Sequence, residues 1–311
     1  MLDKLVSIVI PIYGVEKFIV QCATSLFEQT YKDIQYIFVN DCTKDNSIQL
    51  LKQAMMNYPN RVKRVEIVEK QQNEGLSLAR KTGMEHVEGE YVMLVDSDDW
   101  LEVTMVEQMV QAMESRHVEV VYSDYYKNNG TEQKECNCLD ISDTQTYMRC
   151  MFLLSAPAQT WNKMYRTELL KHIDFPSKSM HEDLYINLQI MYDAKSIYHL
   201  SEKLYHYRNN PNSITHRYPL EQSIENLQLM RSFLLAKGMT DILPSYYSFL
   251  NYVKSFVLKR IRPLDKTLLK QLFMIDKVSD KYIFQRSQFN NFPTQLYLFC
   301  WSMALRMGVK W

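Results

Sequence analysis

Tyr91-Val92-Met93-Leu94-Val95-Asp96-Ser97-Asp98-Asp99-Trp100 sets five consecutive apolar residues directly before three carboxylates in four positions. The apolar run is short, rich in β-branched and aromatic side chains, and closed by polar residues, which reads as a buried strand. Three neighbouring carboxylates repel one another, so a cluster at the end of such a strand asks for a cation. Oxygen-only ligands favour Mg²⁺ or Mn²⁺, which bridge one or two carboxylates to substrate phosphates. Asp98, helped by Asp96 or Asp99, is the expected ligand set. An Asp-rich turn also caps a following element, an alternative that serves one Asp better than three. A calcium loop fails on spacing, because no Gly or terminal Glu falls where a twelve-residue loop needs them.

Working outward, residues 5–12, 34–39, 62–68 and 119–125 repeat the short apolar pattern. Between the strands, residues 15–29, 47–57, 76–86 and 103–116 carry apolar side chains at three- and four-residue steps, as in Met105, Met109 and Met113. This βαβ alternation predicts an α/β fold: a mainly parallel sheet with helices on both faces, whose ligands bind at the carboxyl ends of the strands. Residues 127–143 are polar and aperiodic and read as a loop. From Thr144 onward helices are expected to dominate, with Ser179-Met-His-Glu182 in the form of a capping box, and beyond Pro219 the pattern is wholly helical. Two regions follow, 1–218 and a helical extension 219–311.

The other strand ends are polar too. Pro11-Ile12-Tyr13, with Glu16 beyond, exposes an aromatic edge on which a nucleobase can stack, although a simple strand-ending turn explains the same residues. Val39-Asn40-Asp41 places a carboxylate where it can accept from a uracil imide or a ribose hydroxyl. Asp45 suits the start of the next helix. With 7 glycines in 311 residues there is no GxGxxG and no Walker loop, so a diphosphate would need a metal instead.

The 36 basic and 36 acidic residues cancel, yet residues 251–311 hold 11 Lys/Arg against 3 Asp/Glu. A basic tail suits an anionic surface, and Tyr297, Phe299 and Trp301 beside Arg306 and Lys310 point to the cytoplasmic leaflet of a membrane, while a solvated helical face is the plainer reading. Because the sheet ends are acidic, no nucleic-acid partner is expected. Six cysteines without a CxxC pair, and a strand pattern starting almost at Met1, suggest a cytoplasmic protein with reduced thiols. Cys136-Asn-Cys138 has the wrong spacing for a structural zinc clip.

Taken in order, these motifs carry a resemblance. Val6-Ser-Ile-Val-Ile-Pro11-Ile-Tyr13 with Glu16, Ser25-Leu-Phe-Glu-Gln29-Thr30-Tyr31, Val39-Asn40-Asp41 with Asp45, Asn73-Glu-Gly75 with Ala79-Arg80, and Asp96-Ser97-Asp98-Asp99 resemble the family 2 glycosyltransferases of GT-A fold. Asn40 departs from the pattern, which usually has a second Asp there. Trp161-Asn-Lys163-Met-Tyr165-Arg166, His181-Glu182-Asp183, and Tyr205-His-Tyr207-Arg208 with Ser213-Ile-Thr215 are similar to motifs of the bacterial capsule, exopolysaccharide and O-antigen members.

The resemblance implies a metal-dependent, inverting transfer from a nucleoside-diphosphate sugar, with uridine diphosphate as the expected nucleotide, to a saccharide or lipid-linked acceptor. It implies Mn²⁺ or Mg²⁺ on a DXD motif, and a donor-binding set of Pro11, Tyr13, Glu16, Asp41, Arg80, Asp96, Ser97 and Asp98. Asp183 holds the position of the general base. Lys163 and Arg208 are further diphosphate candidates, and Trp161 a candidate acceptor platform. Two other readings stay open: an inactive sugar-binding or scaffold protein on the same fold, and a sugar nucleotidyltransferase. The latter would need a Gly-rich basic loop after the first strand, which Pro11-Ile-Tyr-Gly-Val-Glu16 is not.

Overall fold

The structure, a computed structural model, describes residues 4–210, 218–261, 265–284 and 292–306, with side chains described for 294–304 in the last of these. The chain opens with β1 (Val6–Ile12), α1 (Ile19–Phe27), β2 (Ile34–Asn40), α2 (Ser47–Met55), α3 (Pro59–Val62), β3 (Val65–Glu69), α4 (Leu76–Met84) and β4 (Tyr91–Leu94). It continues through β5 (Trp100–Leu101), α5 (Met105–Arg116), β6 (Val120–Asn129), β7 (Glu132–Cys136), α6 (Thr144–Phe152), β8 (Lys163–Arg166), α7 (Glu182–Asp193) and β9 (Ile197–Arg208). Four helices close the described chain: α8 (Leu220–Ala236), α9 (Leu243–Arg260), α10 (Lys266–Met274) and α11 (Phe292–Arg306).

One sheet runs β3-β2-β1-β4-β8-β6-β9-β5, with β7 paired to β6. β1 pairs in parallel with both β2 and β4, and β2 with β3. β1, β2 and β4 are buried on both faces, which explains their mainly apolar runs, while β3 at the sheet edge alternates with glutamates and stays partly exposed. Alternate residues feed two cores. Val9 joins Ile37, Leu94, Tyr147, Leu184 and the C-terminal helices on one face, while Ile8 and Ile10 join Ile19, Leu26, Met105 and Met109 on the other. Residues of α8 and α9, such as Leu227, Met230, Tyr246 and Leu250, pack in the same core as α6 and α7. The α/β sandwich and the helical C-terminal region thus agree with the expectation.

Several local expectations change. The helix expected over 15–29 begins only at Ile19, because the Val15 and Glu16 amides donate to Ser47 Oγ and Asp45 Oδ2 at 3.1 and 2.9 Å. The loop expected at 127–143 is instead, in its first part, a hairpin: β6 runs on to Asn129 and β7 returns from Glu132 through Gly130 at φ 61°. Asn129-Gly130 was the missed signal, since this dipeptide suits a tight hairpin turn. The helix-dominated stretch after Thr144 also contains β8 and β9, and these turn the parallel sheet into a mixed one. The capping box does not form: α7 starts at Glu182 after His181, which is left-handed at φ 64° and makes no side-chain cap. Ser213-Ile-Thr215 lies outside the described residues.

Helix α4 sits unusually close to the sheet. A Cβ on Gly83 would fall 2.3 Å from Val9 Cγ1 and 3.1 Å from Val39 Cγ2. Gly83→Ala is therefore expected to cost about 1–3 kcal/mol through overpacking, although alanine is intrinsically the better helix former. Urea unfolding monitored by circular dichroism checks this, and an unchanged midpoint would show that the α4 interface can yield.

Candidate functional site

The carboxyl ends of β1, β2 and β4 meet on one edge of the sheet. Tyr13 follows β1 and is 52% exposed, presenting its ring to solvent. Behind it the loops after β1 and β2 are laced together: Gly14 N–H donates to Thr43 Oγ1 at 2.9 Å, and Asn46 N–H to Glu16 Oε2 at 3.1 Å. Asp45 is the centre of this lacing. It accepts from the Thr43 and Ser47 hydroxyls, and these bonds outweigh its burial to hold its carboxyl below the ordinary range. Glu16 thus ties two loops together.

Asp41 is 2% exposed and accepts from the amides of Glu74 and Gly75 at 3.0 and 2.8 Å, with Lys70 Nζ at 3.3 Å. A carboxylate has about four acceptor sites, so most of this one is already used to hold the start of α4. Asn40 bridges Glu69 and the Thr43 amide, a local role a carboxylate could fill only in part.

The acids after β4 diverge. Ser97 turns back, its hydroxyl donating to Pro11 O at 2.6 Å, which locks the β4 turn onto the end of β1. Asp99 is 1% exposed, with Tyr205 OH and Arg208 N–H on its two oxygens at 2.9 and 2.7 Å. Burial pushes its carboxyl well up. Asp99 thus points into the protein and fastens β9. Asp98 is half-buried and takes Asn210 Nδ2 on Oδ2 at 3.0 Å. Asp96 keeps 20% side-chain exposure and pairs with Arg80.

Arg80 is the hub. Its side chain, on α4, has no exposure, and it reaches Asp96 and Asp183 at 2.7 Å each and Glu182 at 3.1 Å. Named by the resemblance as a donor-binding residue, it meets three carboxylates. One positive charge faces three acids in a region of low polarity, so the balance is short of cations. Burial, with Asp183 and Asp98 nearby, pushes the Asp96 carboxyl up to about 6, and burial pushes Glu182 well up. Oxygen donors short of positive charge fit a hard divalent ion, and of the sequence-named acids Asp96 and Asp98 are the ones left partly open.

Asp183 comes from the first turn of α7. Arg80 Nη1 and Thr160 Oγ1 both donate to its Oδ1, at 2.7 and 3.0 Å, while the side chain stays 29% exposed. The C-terminal region holds this turn in place. His181 Nε2 lies 3.2 and 3.1 Å from Tyr218 OH and Ser223 Oγ, and Asn226 Nδ2 donates to Lys178 O and Met180 O. A left-handed histidine is held only when its surroundings over-determine it, and α8 supplies that restraint. Burial lowers the His181 imidazole to about 4.

The remaining candidates are each engaged by neighbouring residues. Lys163 is fully buried, with Nζ on the carbonyls of Pro157 and Gln159 and on Asn162 Oδ1. Trp161 is 5% exposed and stacks on Tyr205 and Tyr207. The Arg208 guanidinium lies over the Phe18 and Trp100 rings and donates to Asp98 O and Gln21. Thr160 and Asn210, which touch Asp183 and Asp98, were not singled out, since neither stands in a pattern that marks it.

The sequence profile of the family described as Glycosyl transferase family 2 matches residues 7–174. The chain is 32% identical to an uncharacterized glycosyltransferase, EpsJ, of Bacillus subtilis over 68% of this chain and 63% of that one. It is 29% identical to glycosyltransferase GlyA of Streptococcus pneumoniae over 69% of this chain and 32% of that one. The match thus spans a third to just under two thirds of these relatives' length. In three dimensions it is similar to a Staphylococcus aureus TarS structure in complex with UDP-GlcNAc, at TM-score 0.74 and 19% identity, covering 98% of this chain and 92% of that one. At this identity the likeness speaks for the fold.

Asp96 generates a pH dependence. Its folded carboxyl titrates near 6, above the ordinary 3.8, so between these values the folded protein holds a proton that the unfolded chain has released. The contribution of this group to stability is then greatest below about pH 4 and falls as pH rises towards 6. In EDTA, thermal midpoints measured from pH 4 to 7 are expected to decline more steeply for the native protein than for Asp96→Asn. Parallel profiles would mean that Asp96 titrates normally.

Proposed function

The chain belongs to glycosyl transferase family 2, and we propose that it transfers a sugar from a UDP-sugar to a saccharide or lipid-linked acceptor in surface-polysaccharide synthesis. The observation that carries this reading is the sharing of one buried guanidinium by Asp96, after β4, and Asp183, on α7. It brings a metal-binding candidate and a base candidate to opposite sides of the same cation, at the strand ends where a nucleotide fits.

In this reading residues 1–218 carry the chemistry and residues 219–311 form the helical extension. The exposed Tyr13 ring stacks the base. Pro11 and Ser97 fix the floor beneath it, Glu16 holds the adjoining loop, and Asp41 shapes the Gly75 turn on which α4 begins. Asp98 and Asp96 hold Mn²⁺ or Mg²⁺, which when bound supplies positive charge against the diphosphate. Arg80 and Thr160 fix the plane of the Asp183 carboxylate through Oδ1. Asp183 Oδ2 then takes the proton of the acceptor hydroxyl as that oxygen attacks the anomeric carbon and the bond from that carbon to the diphosphate oxygen breaks, releasing UDP. A single displacement of this kind inverts the anomeric configuration.

The C-terminal helices contribute a surface. Among the described residues no helix is long and apolar enough to cross a membrane. On α11, however, Leu296, Tyr297, Phe299 and Met303 are exposed, and Phe284 packs on Phe299. This apolar face, in the basic part of the chain, docks on an anionic leaflet and brings the site to a lipid-linked acceptor. Arg306 and Lys310 lie outside the residues whose side chains are described.

Asp183→Asn is expected to reduce transfer by at least about 10³-fold while leaving UDP binding by calorimetry unchanged. Turnover at the native rate would remove Asp183 from the mechanism. Asp98→Ala is expected to weaken metal-dependent donor binding, and full native activity in EDTA would overturn the metal assignment. Tyr297→Glu with Phe299→Glu is expected to abolish sedimentation with phosphatidylglycerol vesicles and to spare activity on a soluble acceptor. Unaltered sedimentation would make α11 a structural helix only.

A further inference from the structure

We propose that Asp124, Cys138 and His199 form a second metal site, distinct from the aspartates after β4, whose ligand is zinc. Asp124 comes from β6, His199 from β9, and Cys138 from the segment between β7 and α6. A carboxylate oxygen, a thiol sulfur and an imidazole nitrogen from these three residues all lie within 4.8 Å of one another. Zinc bonds of about 2.0–2.3 Å in a tetrahedron need donor atoms roughly 3.3–3.7 Å apart. His199 Nε2 and Asp124 Oδ1 are 2.8 Å apart and would part by roughly 0.5–0.9 Å, while a pair at the 4.8 Å limit would close by roughly 1.1–1.5 Å, shifts that side-chain rotation can supply.

The surroundings are those of a built site. Asp124 is 3% exposed and the His199 side chain 7%. The Cys138 amide donates to Asp124 Oδ1 at 2.7 Å, which orients the carboxylate towards the thiol's own residue. The Tyr122 ring stacks on His199, and its hydroxyl accepts from Ile141 N–H and donates to Leu139 O, clamping the segment on both sides of Asp140. Asp140 Oδ1 stands 4.0 Å from His199 Nδ1. At 4.0 Å, with its side chain 88% exposed, Asp140 makes no hydrogen bond to the ring, and it would have to move closer to orient a metal-bound histidine.

Donor chemistry separates the two sites. Sulfur and nitrogen donors select zinc, whereas the oxygen set at Asp96 and Asp98 suits magnesium or manganese. Burial pushes the Cys138 thiol up to about 12, and without metal its S–H points to Ser123 O at 3.5 Å. On binding, the thiol proton passes to solvent as the sulfur–zinc bond forms, so affinity rises with pH. The bound ion would staple β6 and β9 to the segment that leads into α6. Cys136 takes no part, which is why Cys-x-Cys spacing was uninformative, and His199 lies 75 positions from Asp124 in the chain.

The test uses full-length, tag-free protein stripped by chelator and titrated with Co²⁺. A thiolate-to-cobalt charge-transfer band in the near ultraviolet is expected, saturating at one equivalent and erased by Zn²⁺. Cys138→Ser should lose the band, His199→Gln should weaken binding at least about tenfold, and Asp98→Ala should leave both intact. Zinc should raise the thermal midpoint of the native protein and not that of Cys138→Ser. No band in the native protein, or a band that survives Cys138→Ser, overturns the proposal. Should Cys138→Ser not fold, His199→Gln decides, because native-strength cobalt binding there excludes the site.

Discussion

A fully buried guanidinium surrounded by acids is the constraint around which this molecule is arranged. Taking Arg80 out of water carries a desolvation cost that only close, well-directed partners offset, and the protein supplies three of them from two distant elements. Removing one partner of such a cluster typically costs about 3–5 kcal/mol, so α4, the β4 turn and α7 are held to one geometry. The arrangement remains short of positive charge, which is a reason for Asp96 to keep a proton at low pH.

That hub explains the division of labour among the acids. Asp99 spends both oxygens on Tyr205 and Arg208, so it anchors β9 against the β4 turn. Asp41 spends its acceptors on the Gly75 turn, and so sets where α4 starts, and with it where Arg80 stands. Asp98 and Asp96 are less completely engaged, and these are the two proposed to hold a cation. Residues that look alike in one dimension thus acquire separate roles through what each touches.

The C-terminal helices take part in the same geometry. Ser223 of α8 holds the His181 ring and Asn226 the backbone just before α7, where His181 adopts a left-handed conformation. The orientation of Asp183 is therefore set from two sides: by Arg80 of α4, which packs in the same core, and by α8 behind the turn.

The sequence by itself determined the α/β alternation, the polar strand ends and the ordered motifs of a family 2 glycosyltransferase, because period-two and helical patterns and short-range motifs are local properties of a chain. It missed β8, β9 and the β6–β7 hairpin, whose strands carry mixed rather than plainly alternating residues. The tertiary structure alone decided that Arg80 meets carboxylates, that Asp99 turns inward, that Lys163 and Trp161 are buried, and that His199 joins Asp124 and Cys138. Each of these is a contact between residues far apart in sequence, and the direction in which a side chain points follows from the packing around it rather than from its neighbours in the chain.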